Sequence, residues 1–286
     1  MSADATDNAT DNATAVMTKH IEALIFDWAG TVVDFGCFAP TQIFVDSFKT
    51  AFDFELSLDE ARKPMGLGKW HHIEALSKDD EVQRRWQAQF GRVMSTQDID
   101  HIYETFIPLQ KERIAAHSKL IPGFLAVLNE CRTRGYKIGS TTGYPRQVMD
   151  RLAADAAKQG YVPDCLICAD DLAAGGRPGP WMALDCVLQL KARSVRHCIK
   201  IDDTTPGIAE GVNAGMWTIG VALSGNLCGL TEDAFKALSQ AQKNKLRAPA
   251  EKTLRDAGAH VVIDTVADLL PALAQIDQWI KSGQKP

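Results

Sequence analysis

The sequence predicts an α/β protein in which a Rossmann-like parallel-sheet core is interrupted by an inserted helical cap. Three observations lead there. First, Ile21-Glu-Ala-Leu-Ile-Phe26 is a strand-like run that delivers Asp27 to its end, where Trp28-Ala29-Gly30-Thr31 turns the chain sharply. Second, the pattern from about 41 to 117 is helical, with Leu, Ile, Phe and Trp spaced among Glu, Gln and Arg. Third, strands and helices alternate after Pro122-Gly123, which implies a parallel sheet with right-handed crossovers. The first strand belongs to that sheet, so the helical block is an insertion. The expected division is a disordered tail over 1–18, a core over 19–35 and 119–286, and a cap over 36–118.

The elements follow in order. Residues 2–16 repeat Thr-Asp-Asn-Ala without apolar periodicity, the composition of a disordered tail. Two Asn-Ala-Thr triplets there match a glycosylation sequon, but with no export signal ahead of them that reading is set aside. Inside the helical block, Ser57 and Glu60 have capping-box spacing. Beyond it, strands are expected at 137–140, 165–168, 197–201, 218–222 and 260–263. Helices are expected at 145–158, 181–190, 207–214, 231–246, 250–257 and 266–280.

With 286 residues the chain can bury a full core and carry a large insertion. Its 45% hydrophobic and 23% charged residues are ordinary for a soluble globular protein. A net charge of -5 leaves no basic footprint for nucleic acid, and no apolar run approaches a membrane span. Seven cysteines, an odd number without a signal peptide, suggest reduced thiols in a cytoplasm. Cys165 and Cys168 have CxxC spacing, but in a strand they face opposite ways and no second ligand pair completes a zinc site.

Asp27 is the candidate nucleophile, since a carboxylate at a strand's carboxyl end sits where open α/β sheets bind ligands. Three later segments add weight: Ser140-Thr-Thr142-Gly143, Gly176-Arg177-Pro178 and Asp202-Asp203-Thr204. The Thr142 hydroxyl and free backbone N–H groups at Gly143 suit phosphate oxygens, and Arg177 offers a permanent bidentate cation. Each segment alone is weak. Paired aspartates also cap helices, and Arg177 alone reads as a surface loop residue. Together and in this order, they make the chain similar to the haloacid dehalogenase superfamily. That resemblance implies an aspartate nucleophile and Mg²⁺ held by Asp27, the Ala29 carbonyl and Asp203. Asp202 is expected in a supporting position or exposed. The family often has another acid four residues beyond the metal aspartate, and here that position is Gly207.

Two positions narrow the reaction. Phosphatases of the superfamily carry a second aspartate two residues after the nucleophile to protonate the leaving alkoxide; here Ala29 cannot. A carbon leaving group would fit if something else takes up its electrons. A lysine imine does so, provided burial lowers its pKa; Met65, Leu67 and Trp70 around Lys69 suit that. The sequence alone does not select Lys69 over Lys63. The segments FDWAGT, DFGCFAP, EARKPMGLGKWHHIEAL, GSTTGYPRQVM and GRPGPWM decide it, because they closely resemble the phosphonatase branch of the superfamily. The resemblance implies phosphonoacetaldehyde as substrate, Lys69 as the imine former, and Cys37, Met65, His72 and Tyr144 around the pocket. As a proton shuttle, His72 would need a pKa near neutrality; it could equally be an exposed helix residue. The resemblance also implies a homodimer packed through the cap, while the charge and the lack of an apolar span lead to no expected nucleic-acid or membrane partner. A magnesium phosphatase or phosphomutase, or a non-enzymatic scaffold, remains the alternative.

Overall fold

A computed structural model describes residues 20–286; the expected tail over 1–18 lies outside the described residues. The sheet is parallel throughout, with strand order β3-β2-β1-β4-β5-β6. Its strands are β1 (Ala23–Phe26), β2 (Lys137–Thr142), β3 (Cys165–Cys168), β4 (Cys198–Asp202), β5 (Trp217–Val221) and β6 (Val261–Ile263). β1, β4, β5 and β6 are buried along their whole length, as expected for strands covered by helices on both faces.

The strand order turns at β1, which pairs with β2 on one side and β4 on the other. Phe26 is level with Ser140 and with Ile201, so the three carboxyl ends open side by side. That is the topological switch point where such sheets bind ligands.

Between β1 and β2 lie α1 (Phe38–Phe52), α2 (Leu58–Arg62), α3 (Lys69–Ser77), α4 (Asp80–Phe90) and α5 (Thr96–Arg113). They share a hydrophobic cluster drawn only from this stretch, with Phe44, Phe48, Trp86 and Phe106 at its centre. The capping box is present: Ser57 Oγ accepts from Glu60 N at 3.2 Å, and Glu60 Oε2 accepts from Ser57 N at 2.9 Å. Around the sheet lie α6 (Phe124–Thr133), α7 (Arg146–Lys158), α8 (Trp181–Gln189), α9 (Thr205–Asn213), α10 (Glu232–Ala237), α11 (Gln240–Asp256) and α12 (Leu269–Lys281). No described helix is long and apolar enough to cross a membrane.

The structure corrects three element assignments. α6 was not assigned, although Phe124, Val127, Leu128 and Cys131 bury one helical face. The break expected before residue 250 falls instead at Leu238, whose ψ of 138° is extended, and a Ser239–Gln242 capping box then starts α11. Pro249 lies inside α11 on an exposed face, where water can satisfy the carbonyl it frees. Helix α1 begins at Phe38 rather than near 41, after Cys37 in a left-handed conformation. Cys165 and Cys168 do join different clusters, and all seven cysteines are free thiols.

Candidate active site

Immediately after β1, Asp27 N donates to Ile201 O at 2.9 Å, which anchors the acid between strands. The Trp28 carbonyl then accepts from Thr31, Val32 and Val33, closing the turn. Gly30 has φ +84°, and a Cβ there would lie 2.3 Å from Asp203 Oδ2, so only glycine lets the turn meet the next carboxylate. Asp27, Asp202 and Asp203 each bring a carboxylate oxygen within 4.8 Å of the others.

These acids are not equivalent. Burial pushes Asp202 up, but Arg177 and Lys200 outweigh it and hold the carboxyl below its ordinary value. Lys200 Nζ lies 2.6 Å and Arg177 Nη2 3.3 Å from Asp202 Oδ2. Its other oxygen accepts from Thr204 N and Oγ1. Asp202 is therefore fully buried rather than exposed, and the N-cap of α9 is Thr204 rather than either aspartate. Gly207 belongs to the same arrangement: a Cβ there would stand 1.9 Å from Asp202 Oδ2, in space this acid fills. Among the described residues Asp203 accepts from Thr31 Oγ1 and Asn226 N only, and burial with Asp27 and Asp202 nearby drives its pKa well up. Burial, then the charge of Asp202, also raises Asp27, against the pull of Arg177.

Arg177 is buried, not a surface loop residue. Its Nη2 donates to Asp27 Oδ1 at 2.7 Å and its Nε to Glu210 Oε2 at 2.8 Å. At the end of β2, Thr142 Oγ1 accepts from Tyr144 N at 3.1 Å, leaving its own hydroxyl proton free to donate.

A cavity of about 20 Å³, room for one water, joins these groups. Asp27, Ala29, Thr142, Gly143, Tyr144 and Arg177 line it from the sheet side, and Cys37, Met65 and Lys69 from the other. Lys69 opens α3 and is 5% exposed. Its Nζ stands 4.7 Å from the Tyr144 ring and 5.6 Å from the Phe44 ring, with no ion pair or hydrogen bond among the described residues. Burial lowers its pKa to about 8, and the positive end of α3 works in the same direction. Phe44 and Tyr144 supply aromatic neighbours from distant segments, and Met65 lines the same cavity; Trp70 Nε1 donates to Asp100. Lys63 is a surface residue paired with Asp79 at 2.6 Å, which raises its pKa.

His72 and Asp203 do not line the cavity. His72 is fully buried rather than exposed, stacked on Phe44 at 3.7 Å, and its Nε2 donates to Ala61 O. Burial, then Lys69, depresses its pKa well below the ordinary value, so the near-neutral pKa expected of a shuttle is absent. Burial pushes the Cys37 thiol and Tyr144 phenol well up, so both stay protonated. Sequence reasoning missed Lys200 and Glu210, which are fully buried beside Asp202 and Arg177. Their signal was a charge inside an otherwise apolar strand and another on the buried face of α9.

A family model described as haloacid dehalogenase-like hydrolase matches residues 21–215. The phosphonoacetaldehyde hydrolase of Aeromonas hydrophila is 56% identical over 94% of this chain and 96% of its own length. That of Vibrio cholerae serotype O1 is 55% identical over 95% of this chain and 100% of its own. The crystal structure of a phosphonoacetaldehyde hydrolase-like protein from Oleispira antarctica superposes with a TM-score of 0.90 at 41% identity, covering 93% of this chain and 96% of that one.

Proposed function

The chain belongs to the phosphonoacetaldehyde hydrolases of the haloacid dehalogenase-like hydrolase family, and from that premise we propose that Lys69 and Asp27 carry its reaction. The enzyme hydrolyses the carbon–phosphorus bond of phosphonoacetaldehyde to acetaldehyde and orthophosphate. The observation that carries the mechanism is a buried, unpaired lysine with a pKa of about 8 facing the same cavity as Asp27. Near neutral pH an appreciable fraction of that amine is unprotonated and can add to an aldehyde.

Lys69 Nζ attacks the aldehyde carbon, and loss of water gives an iminium. Asp27 attacks phosphorus; the C–P electron pair moves into the iminium and leaves an enamine. Protonation at carbon and hydrolysis of the imine release acetaldehyde and restore Lys69. Water then cleaves the aspartyl phosphate to orthophosphate. Arg177, Thr142 and Gly143 hold the phosphoryl oxygens. No acid is needed beside Asp27, because the leaving group is carbon; that suits Ala29.

The acid cluster fits a cation on its own evidence. Burial and Asp202 raise Asp27, and burial with Asp27 and Asp202 raises Asp203, whose carboxylate accepts from no cationic side chain among the described residues. Asp27, Asp203 and the Ala29 carbonyl are the assigned ligands, and an all-oxygen donor set favours Mg²⁺. Held there, such an ion would supply the positive charge needed to offset that of the phosphoryl group and the attacking carboxylate. We assign 36–118 as a cap that opens to admit substrate, since the closed cavity holds only about 20 Å³. A homodimer through that cap and a cytoplasmic setting, suited to seven free thiols, complete the assignment. Borohydride reduction with phosphonoacetaldehyde, read by mass spectrometry, tests it: the adduct must appear on Lys69. An adduct elsewhere, or phosphate release that borohydride leaves untouched, would overturn the mechanism.

A further inference from the structure

We propose that Arg62 and Asn226 form a latch that seats the helical insertion on the core, and that the same latch aligns Asp203. Arg62 ends α2, three residues before Met65 and seven before Lys69. Its Nη1 donates to Gly36 O at 2.9 Å and to Asn226 O and Oδ1 at 3.3 Å. Asn226 answers: its Nδ2 donates to Arg62 O at 3.1 Å. The guanidinium also lies 5.0 Å over the Phe38 ring, at the entry to the insertion.

Asn226 faces two ways. While its side chain holds Arg62, its backbone N–H donates to Asp203 Oδ2 at 2.7 Å. Nearby, Gly36 N donates to Ser224 O, and Ser224 Oγ donates to Gly30 O in the turn after Asp27. One short loop of the core therefore touches the start of the insertion, the segment leading to Lys69, and an aspartate of the acid cluster. A reciprocal pair of this kind forms only when the insertion is seated. Seating thus brings Lys69 over Asp27 and fixes the Asp203 carboxylate in one move. Neither residue touches the cavity, so both act as positioning residues.

The latch rests on Lys69 being the imine former, but its physical test does not. Asn226→Ala removes the side-chain half while keeping the backbone N–H to Asp203. Arg62→Ala removes the other half, and Arg62→Lys retains charge and stem without the branched guanidinium. Measure hydrogen exchange of the peptide spanning 62–69, the Mg²⁺ concentration for half-activation, and kcat/KM. Each alanine variant should speed exchange in that peptide at least tenfold and lower kcat/KM at least tenfold. The double variant should be no worse than the poorer single variant within about threefold, as expected for partners in one interaction. Half-activation by Mg²⁺ should rise at least threefold in each alanine variant, because the loop that aligns Asp203 is then released, and an unmoved value would overturn that half of the proposal. Lys63→Ala, on the same segment, should change nothing. Unchanged exchange in the latch variants, or effects that multiply in the double variant, overturns the proposal. If Arg62→Ala does not fold, Arg62→Lys decides, with smaller changes in the same direction required. A wild-type protein lacking the Lys69 adduct would instead sink the catalytic assignment and leave the exchange result standing.

Discussion

Replacing Lys69 by methionine should stabilise the folded protein at neutral pH while abolishing turnover. Methionine keeps most of the stem beside Phe44 and Tyr144 and deletes the ammonium. In the native protein that ammonium is destabilising, because burial has lowered its pKa from 10.5 to about 8. The unfolded chain binds the proton more tightly, so the penalty is complete below pH 8 and fades as pH rises toward 10.5. At about 1.4 kcal/mol per tenfold change in proton affinity, it amounts to about 3 kcal/mol at pH 7 and under about 1 kcal/mol at pH 10. Urea unfolding of parent and variant at both pH values reads this, since titrating groups that do not interact with Lys69 cancel in the difference. The expected result is a gain of about 1–3 kcal/mol at pH 7 that shrinks at pH 10. Equal or lower stability at pH 7 would refute the buried-ammonium argument. A gain independent of pH would refute it too, because improved packing has no reason to titrate.

Three further outcomes follow from the same geometry. Lys69→Arg should lose C–P cleavage by at least about a thousandfold, since guanidinium stays protonated and forms no productive imine, while Lys63→Arg keeps it; acetaldehyde release compares them. Asp203→Ala should abolish Mg²⁺ activation. Asp202→Ala should retain a weaker activation and unfold more easily, because Lys200 and Arg177 lose a buried partner; titrating turnover with Mg²⁺ alongside thermal melts separates the two. Ala29→Asp should lower phosphonate cleavage at least tenfold, because a carboxylate two residues from Asp27 adds to the charge already raising that acid. Undiminished cleavage there would remove the leaving-group argument.

The parts of the site that were legible in sequence lie where a strand pattern meets a turn. Asp27, Thr142 and Asp202 each sit at or just beyond a strand end, a position that local alternation and a following Gly or Thr reveal. What stayed hidden depends on packing between distant segments. Glu210 reaches Arg177 from 33 residues away in sequence, and Asn226 reaches Arg62 across 164. The environment of Lys69 is only partly local: Met65 lines its cavity from the same segment, whereas Tyr144 arrives from just beyond β2 and Phe44 from α1. The gap expected between 246 and 250 is absent, because Pro249 on an exposed helix face is tolerated when solvent takes the freed carbonyl.

The contrast between Lys69 and Lys63 turns on how the surrounding charge is distributed. Four fully or nearly buried acids, Asp27, Asp202, Asp203 and Glu210, lie close together, and any of them could have captured the reactive lysine in an ion pair. Such a pair would hold the ammonium protonated, as Asp79 does for Lys63. Instead Arg177 contacts Asp27, Asp202 and Glu210, and Lys200 closes on Asp202. These two fixed cations occupy the carboxylates that a lysine would otherwise seek. Lys69 is left facing aromatic rings, where burial dominates its proton affinity. The same arrangement leaves Asp203 with no ion pair or hydrogen bond to a cationic side chain among the described residues, and therefore with most to gain from a metal ion. A buried Arg–Lys pair thus separates two tasks that would otherwise compete for the same acids. On the proposed mechanism, it keeps one amine free for covalent chemistry and one carboxylate free for a cation.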